Sequence, residues 1–135
     1  GRCDITMTWQ GEHTELPEFG LLFPLRRELT EVSYLGLGPR ETTADRTAGG
    51  KMGVWNYNVR QDFAQYTPVY PQECGSRTGV YSATVTGSIP GIGFAGDGMT
   101  FSALPYTPHE LENARHLYEQ DCCPLRGLPA GRGRR

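Results

Sequence analysis

Apolar and polar residues alternate with a period of two along much of this chain, and this pattern constrains the fold more than any other feature. Successive side chains of a β-strand point to opposite faces of the sheet, so the alternation predicts strands with one buried face. The pattern recurs in about seven segments, and no regular succession of helices separates them. The sequence therefore predicts an all-β, antiparallel sandwich and not a βαβ fold.

The predicted strands are bounded by residues that are typical of turns. Pro24 lacks an N–H group, which places the second strand at an edge or close to its own end. Asp97-Gly98 predicts a tight hairpin that joins the last two strands. The residues on the predicted buried faces are Ile5, Met7 and Trp9; Phe19, Leu21, Phe23 and Leu25; Val32 and Tyr34; Trp55, Tyr57 and Val59; Tyr81, Ala83 and Val85; Ile92 and Phe94; and Met99, Phe101 and Ala103.

One short helix is predicted near the end of the periodic region. Thr107–Glu110 forms a capping box with proline at the first helical position, and Leu111 and Ala114 follow with helical spacing. From residue 121 the chain loses its periodicity and becomes rich in proline, glycine and arginine. Residues 1–120 are therefore predicted to form the sandwich, and residues 121–135 a disordered or unrelated tail.

The length and net charge of the chain indicate which kinds of partner are not expected. The 135 residues are enough for one domain with one core, and the formal net charge of −2 creates no field that attracts nucleic acid or an anionic membrane. No apolar run approaches the roughly 18 residues that a membrane-spanning helix needs. We therefore predict neither nucleic acid nor a membrane as a partner.

The cysteines, at positions 3, 74, 122 and 123, do not have the spacing of a disulfide framework. The adjacent pair can form a bond only in a strained geometry, so free thiols are predicted. Free thiols are typical of proteins in a reducing compartment, which favours a cytoplasmic location and leaves a secreted one open.

Two motifs that look like ligand sites are better explained by structure. Gly91–Gly96 fits G-x-G-x-x-G, but a dinucleotide site needs a helix directly after the glycines, and here a turn and a strand follow. His109, His116, Cys122 and Cys123 match no usual zinc spacing. No cofactor or metal is therefore predicted, and no carboxylate pair or nucleophile motif indicates a catalytic site.

Two loops combine glycine, acidic residues and arginine at high density. The first spans Gly36–Arg46 and the second Pro71–Thr78, each next to an apolar strand. Buried arginine–carboxylate pairs and side-chain bonds to loop backbone explain this composition structurally. A polar binding site at one end of the sandwich explains it functionally. The residues alone favour the structural explanation and leave the functional one open.

Four sequence blocks share one family resemblance. The stretches VSYLGLGPRETTADRTAG at 32–49, YTPVYPQECGSRTGV at 66–80, FSALPYTPHELENARHLYE at 101–119 and FGLLFPL at 19–25 occur in a continuous order. Together they resemble the C-terminal, small-chain region of the β-galactosidases of glycoside hydrolase family 2. The matching positions that are expected to be structural or at the edge of a pocket are Gly36, Gly38, Pro39, Glu41, Asp45, Arg46, Pro71, Glu73, Gly75, Arg77, Thr78 and His116.

The resemblance implies both a fold and a role. In that family the region belongs to a large antiparallel supersandwich, also seen in galactose mutarotase-like domains, and packs beside a barrel that holds both catalytic glutamates. No residue of this chain matches those glutamates. The chain is therefore expected to be an incomplete, non-catalytic part of an enzyme that hydrolyses terminal β-D-galactosides such as lactose. It would support the assembly with the barrel and the other domains, and wall the substrate pocket.

Some positions depart from the family pattern, and other functions stay open. Thr42–Ala44 and Cys74 replace residues whose loss is expected to weaken hydrogen bonding in the loops. The alternatives are a stand-alone carbohydrate-binding module and a mutarotase-like sugar isomerase. The inward alternation of the aromatic residues argues against the first, and the positions of the histidines in turns or on the helix argue against the second. An incomplete sandwich is also expected to self-associate through exposed strand edges.

Overall fold

The computed structural model describes residues 1–8, 10–11, 20–42, 48–65 and 75–106. In chain order, its elements are β1 (Leu29–Gly38), β2 (Lys51–Asn58), α1 (Val59–Gln65), β3 (Arg77–Gly87) and β4 (Ile92–Phe101). Within these ranges, no helix is long and apolar enough to cross a membrane.

The four strands form one sheet in the order β2-β1-β3-β4, and every neighbouring pair is antiparallel. This arrangement, with one short helix, confirms the predicted all-β, antiparallel class. β1 lies between β2 and β3: it pairs with β2 from Glu31 to Gly38 and with β3 from Leu29 to Leu35. The two edges of the described sheet are β2 and β4.

One face of the sheet carries the core. Val32 and Tyr34 of β1 lie opposite Val85 and Ala83 of β3, and all four side chains are buried. The alternation in the sequence predicted each of these positions correctly. The half-buried hydrophobic residues that pack against this core are Leu25, Leu29, Trp55, Tyr57, Ile92, Phe94, Met99, Phe101 and Ala103.

The predicted hairpin at Asp97-Gly98 is wrong, because β4 continues through these residues. Met99 pairs with Val80 and Ala95 pairs with Ser82, so three residues of β4 lie opposite a single residue of β3. The strand absorbs the extra residues as a bulge, in which Gly98 has a φ of 69° that other residues rarely adopt. The turn residues therefore bend a strand and do not reverse the chain.

The same irregularity changes the buried face of β3. Tyr81 was predicted to share a buried face with Ala83, but 45% of its surface is exposed. Val80 is fully buried instead. The pairing register shifts between Val80 and Ser82, which breaks the simple alternation at this point.

The two strands predicted before β1 are absent from the residues described there. Ile5 and Met7 lie outside any strand and are exposed, and so are Leu21 and Phe23. Phe23 nevertheless packs its ring against Phe94, with the centroids 5.2 Å apart. Alternation predicts a strand only where a neighbouring strand accepts its backbone hydrogen bonds, and no described strand does so here.

The helix α1 was not predicted, since its first residue was assigned to the strand before it. β2 ends at Asn58, whose side-chain oxygen accepts hydrogen bonds from the N–H groups of Arg60 (3.1 Å) and Gln61 (3.3 Å). This is the geometry of a helix N-cap, and Val59 therefore starts α1 and does not continue the strand. The helix predicted from Thr107 onward lies outside the described residues.

We expect Asn58→Ala to lower the free energy of unfolding by about 1 kcal/mol, because the first turn of α1 loses its cap. The variant also loses the bond that Asn58 donates to Glu31 across β1 and β2 (2.6 Å). Urea unfolding followed by circular dichroism measures the change. Asn56→Ala, at an exposed position of the same strand, is the control and should stay within about 0.5 kcal/mol of the unmodified chain. Equal effects of the two substitutions would contradict the capping role.

Candidate functional site

The two dense loops of the sequence meet in space. The N–H group of Thr42 donates to the carbonyl of Ser76 (2.9 Å), and the N–H group of Gly75 donates to a carboxylate oxygen of Glu41 (2.6 Å). The N–H group of Thr78 donates to the hydroxyl of Thr42 (2.9 Å). We call this contact between residues 36–42 and 75–78 the loop junction.

A buried ion pair lies directly behind the loop junction. Arg77 is completely buried, and its two terminal nitrogens donate to the two carboxylate oxygens of Asp62 at 2.7 and 2.6 Å. One of these nitrogens also donates to the carbonyl of Gly75. Such a two-bonded arrangement fits the planar guanidinium group and is among the stronger hydrogen-bonded contacts in proteins. The pair therefore ties the start of β3 to α1.

Two tyrosines enclose the buried guanidinium group. Its carbon lies 4.2 Å from the ring centroid of Tyr57 and 5.9 Å from that of Tyr34, and both distances allow a cation–π attraction. The Tyr34 hydroxyl donates to the carbonyl of Leu37 at 3.2 Å, inside the first loop. Burial raises the pKa of Tyr34 above its ordinary value, and the neighbouring Arg77 opposes this shift more weakly. The aromatic rings thus connect the ion pair to the first loop.

Close packing requires glycine at Gly38. A side-chain carbon placed there would overlap the Tyr34 hydroxyl and would lie 2.6 Å from a ring carbon of Trp55. The Trp55 indole N–H group donates to the carbonyls of Gly36 (3.2 Å) and Lys51 (3.3 Å), which fixes the ring over the end of β1. Gly38 therefore makes room for two aromatic side chains, whereas a side-chain carbon at Gly36 would meet Val80.

A cleft of about 230 Å³ opens next to the loop junction. Its lining is mostly backbone and small side chains, together with the exposed Arg40 and the half-buried Glu41. The described residues that line the cleft are Gly38, Pro39, Arg40, Glu41, Thr42, Gly49 and Gly50.

Comparison with known proteins identifies the family. A family model described as the β-galactosidase small chain matches residues 1–122. The chain belongs to this family. The predicted resemblance is therefore confirmed over nearly the whole chain.

Individual relatives of this β-galactosidase family agree with the match. The chain is 36% identical to a β-galactosidase of Lactobacillus delbrueckii subsp. bulgaricus over 88% of its own length, and 37% identical to one of Priestia megaterium over 78%. It is 34% identical to the β-galactosidase small subunit of Latilactobacillus sakei over 88% of its own length. The chain spans only 12%, 10% and 41% of the lengths of these three relatives.

The structure brings together most of the described residues among those predicted for the site. Gly36, Gly38, Pro39 and Glu41 belong to the first loop of the junction, and the residues of the second loop are Gly75, Arg77 and Thr78. The remaining predicted positions of the β-galactosidase motifs lie outside the described residues. They are Asp45, Arg46, Pro71, Glu73 and His116.

The role of four residues of the site was missed or misjudged by sequence reasoning. Asp62 gave no signal, because its partner is 15 positions away and α1 was not predicted. Tyr34 and Tyr57 were predicted as core residues, and only the structure places them on a charged group. Thr42 was expected to weaken the loops, yet it is buried and its side chain accepts a hydrogen bond from the second loop.

The described part of the chain contains no group of three or more metal-binding side chains. The three histidines at positions 13, 109 and 116 lie outside that part. Cys3 is an exposed free thiol, in accord with the thiol prediction at this position, and the other cysteines lie outside the described residues.

Removing the carboxylate of the buried ion pair should lower the free energy of unfolding much more than removing the carboxylate of an exposed ion pair. We expect Asp62→Ala to lower the free energy of unfolding by about 3–5 kcal/mol, because it leaves the Arg77 charge buried without its carboxylate partner. Asp4→Ala is the matched control. Asp4 also forms an ion pair, with Arg2 at 2.9 Å, but the side chains of both residues are mostly exposed. No measurable change is expected for the control. Denaturant unfolding of both variants tests this contrast, and a loss of under 1 kcal/mol in Asp62→Ala would contradict it.

Gly38→Ala should lower the free energy of unfolding by about 1–3 kcal/mol, because the added methyl group forces Tyr34 or Trp55 to move. Gly49→Ala is the matched control: it also lines the cleft, but a side-chain carbon there has no neighbour within 4 Å. The measurement is thermal unfolding together with the fluorescence of the chain's two tryptophans, which should shift only in Gly38→Ala. Similar behaviour of both variants would show that close packing does not explain the glycine.

Proposed function

We propose that this chain acts as a non-catalytic part of a β-galactosidase that hydrolyses terminal β-D-galactosides such as lactose. Its role is to support the assembly with the catalytic part, and to form one wall of the substrate pocket. The observation that carries the proposal is that the polar groups of the family motifs bind one another inside the loop junction. They therefore serve to hold a rigid corner and do not face a substrate.

Burial supports the structural role of these groups. Arg77 has no exposed surface, and Asp62 is 8% exposed. The Glu41 carboxylate accepts a hydrogen bond from the second loop. A general acid or nucleophile of a glycosidase must touch the scissile bond, and the Asp62 carboxylate is held behind the loop junction. The catalytic carboxylates of the enzyme would accordingly lie in another part of it.

The cleft supports the proposed pocket wall. Pro39, Arg40 and Glu41 line the cleft, and the bond from the Gly75 N–H group to the Glu41 carboxylate holds this lining against the second loop. The backbone groups of this lining and the exposed Arg40 offer hydrogen bonds to sugar hydroxyl groups. We therefore place the contact with a β-galactoside at this edge.

Two aromatic residues of β2 weigh against a stand-alone carbohydrate-binding module. Such a module needs exposed rings on which a sugar can stack, but Trp55 is half-buried and its indole N–H group binds backbone carbonyls. Tyr57 is also half-buried and packs against Arg77. A mutarotase-like supersandwich and a cytoplasmic location, which the free thiol at Cys3 favours, remain part of the proposal.

A chimeric enzyme tests the proposed function. The matched stretch of the β-galactosidase of Lactobacillus delbrueckii subsp. bulgaricus is replaced by residues 1–122 of this chain, and lactose hydrolysis is measured. We expect the chimera to assemble and to hydrolyse lactose, because the ion pair and the loop junction rebuild the pocket wall. The 135-residue chain alone should not hydrolyse lactose.

Variants of the chimera distinguish a role of this chain in assembly from a role in catalysis. Asp62→Ala should reduce assembly and activity together, whereas Asp4→Ala should leave both unchanged. Hydrolysis of lactose by the isolated chain would overturn the non-catalytic role. A chimera that assembles to the normal mass but is inactive would overturn the equivalence of the pocket walls.

A further inference from the structure

We propose that Tyr34 and Trp55 are positioning residues for the contact with a β-galactoside. Their polar hydrogens hold the end of β1 and the start of β2, and thereby set the shape of the cleft between the two. This inference rests on the proposed function and deepens it, because it names the side chains that determine how tightly the pocket wall binds. Neither residue belongs to the described lining of the cleft, so both would act through the backbone that they hold.

The cleft lies between the two limbs of a single connection. β1 ends at Gly38 and β2 begins at Lys51, and these two residues are the last pair that the two strands form. The lining residues 39–42 follow β1 directly, and the lining residues 49–50 directly precede β2. We call them the outgoing limb and the returning limb. The contacts that hold the end of β1 against the start of β2 therefore also hold the roots of both limbs.

Tyr34 holds the outgoing limb. Its side chain is buried on the core face of β1, and its hydroxyl donates to the carbonyl of Leu37 at 3.2 Å. The same hydroxyl lies 3.5 Å from the carbonyl of Pro39, which lines the cleft. Burial raises the pKa of Tyr34, so the hydroxyl keeps its proton at neutral pH and can donate. A core residue thus bonds directly to the backbone at the start of the limb.

Trp55 holds the returning limb. It lies directly opposite Tyr34 in the pairing of β1 with β2. Its indole N–H group is shared between the carbonyl of Gly36 in β1 (3.2 Å) and that of Lys51 in β2 (3.3 Å). Lys51 directly follows the returning limb. One donor therefore connects the start of β2 to the last part of β1.

The two aromatic side chains meet at Gly38. A side-chain carbon at this residue would overlap the Tyr34 hydroxyl and lie 2.6 Å from a ring carbon of Trp55. Gly38 itself lines the cleft. Interiors packed this closely transmit small changes of shape to their neighbours. A change in either ring should therefore reach the lining directly, and its effect does not require the buried ion pair to move.

A positioning role and a purely structural role change different kinetic constants. A displaced wall weakens the binding of the substrate and of the transition state alike, which raises KM and leaves kcat unchanged. A loss of folded or assembled enzyme lowers the apparent kcat and leaves KM unchanged, because the enzyme that remains is normal. The two constants, measured separately, therefore distinguish the two roles.

Tyr34→Phe in the chimeric enzyme tests the inference, because it removes the hydroxyl and keeps the ring. We expect KM for lactose to rise about three- to tenfold, which corresponds to the loss of one hydrogen bond, while kcat stays within about twofold. The inhibition constant of a β-thiogalactoside that the enzyme does not hydrolyse should rise by the same factor. Trp55→Phe, which removes the N–H group, should change KM in the same direction. Tyr81→Phe is the matched control: it makes the same chemical change at a tyrosine that is 45% exposed, and both constants should stay unchanged.

The outcomes separate this inference from the proposed function. A Tyr34→Phe chimera that hydrolyses lactose with an unchanged KM would overturn the inference and leave the proposed function intact. So would a lower kcat at an unchanged KM, which indicates that Tyr34 only supports folding or assembly, or an equal rise in KM for Tyr81→Phe. An unmodified chimera that fails to hydrolyse lactose would overturn the proposed pocket wall, and this inference with it.

Discussion

The buried ion pair between Arg77 and Asp62 is the contact on which the rest of the described structure depends. A charge removed from water is tolerated only when its partner and its remaining hydrogen bonds are all in place. Here the partner comes from α1, one further bond goes to the carbonyl of Gly75, and two tyrosine rings cover the guanidinium group. An arginine at the start of β3 therefore specifies where the helix and the second loop must lie.

Through the loop junction, the position of Arg77 also determines where the first loop must lie. Glu41 and Thr42 bind the backbone of the residues on either side of Arg77, so the two loops share one set of hydrogen bonds. Gly38 then allows Tyr34 and Trp55 to pack close to the end of β1. This explains in physical terms why the family motif combines glycine, an acid and an arginine. Each residue type either pairs a buried polar group or makes room for a ring.

Sequence reasoning predicted the central part of the fold and misread its ends. The alternation around Val32, Tyr34, Ala83 and Val85 was reliable because both neighbouring strands are present and one face is buried. The same alternation failed before β1, where no described strand receives the backbone hydrogen bonds. Asp97-Gly98 was misread because the same two residues are compatible with a hairpin turn or with a bulge. Pairing with β3 on both sides of them determines that a bulge forms. The loops were recognised by resemblance, but their mutual contact joins residues 34 and 36 positions apart and leaves no local pattern.

These separations along the chain also determine the entropy cost of closing the corner. The ion pair closes a segment of 15 positions, whereas the contacts of Glu41 and Thr42 close segments of 34 and 36. Each doubling of a flexible loop adds about 0.6 kcal/mol to the entropy cost of closing it. Once Arg77 has met Asp62, much of the longer segment is already confined, so the first loop closes onto a smaller remaining loop. The shortest of these side-chain contacts thus lowers the entropic cost of the longer ones.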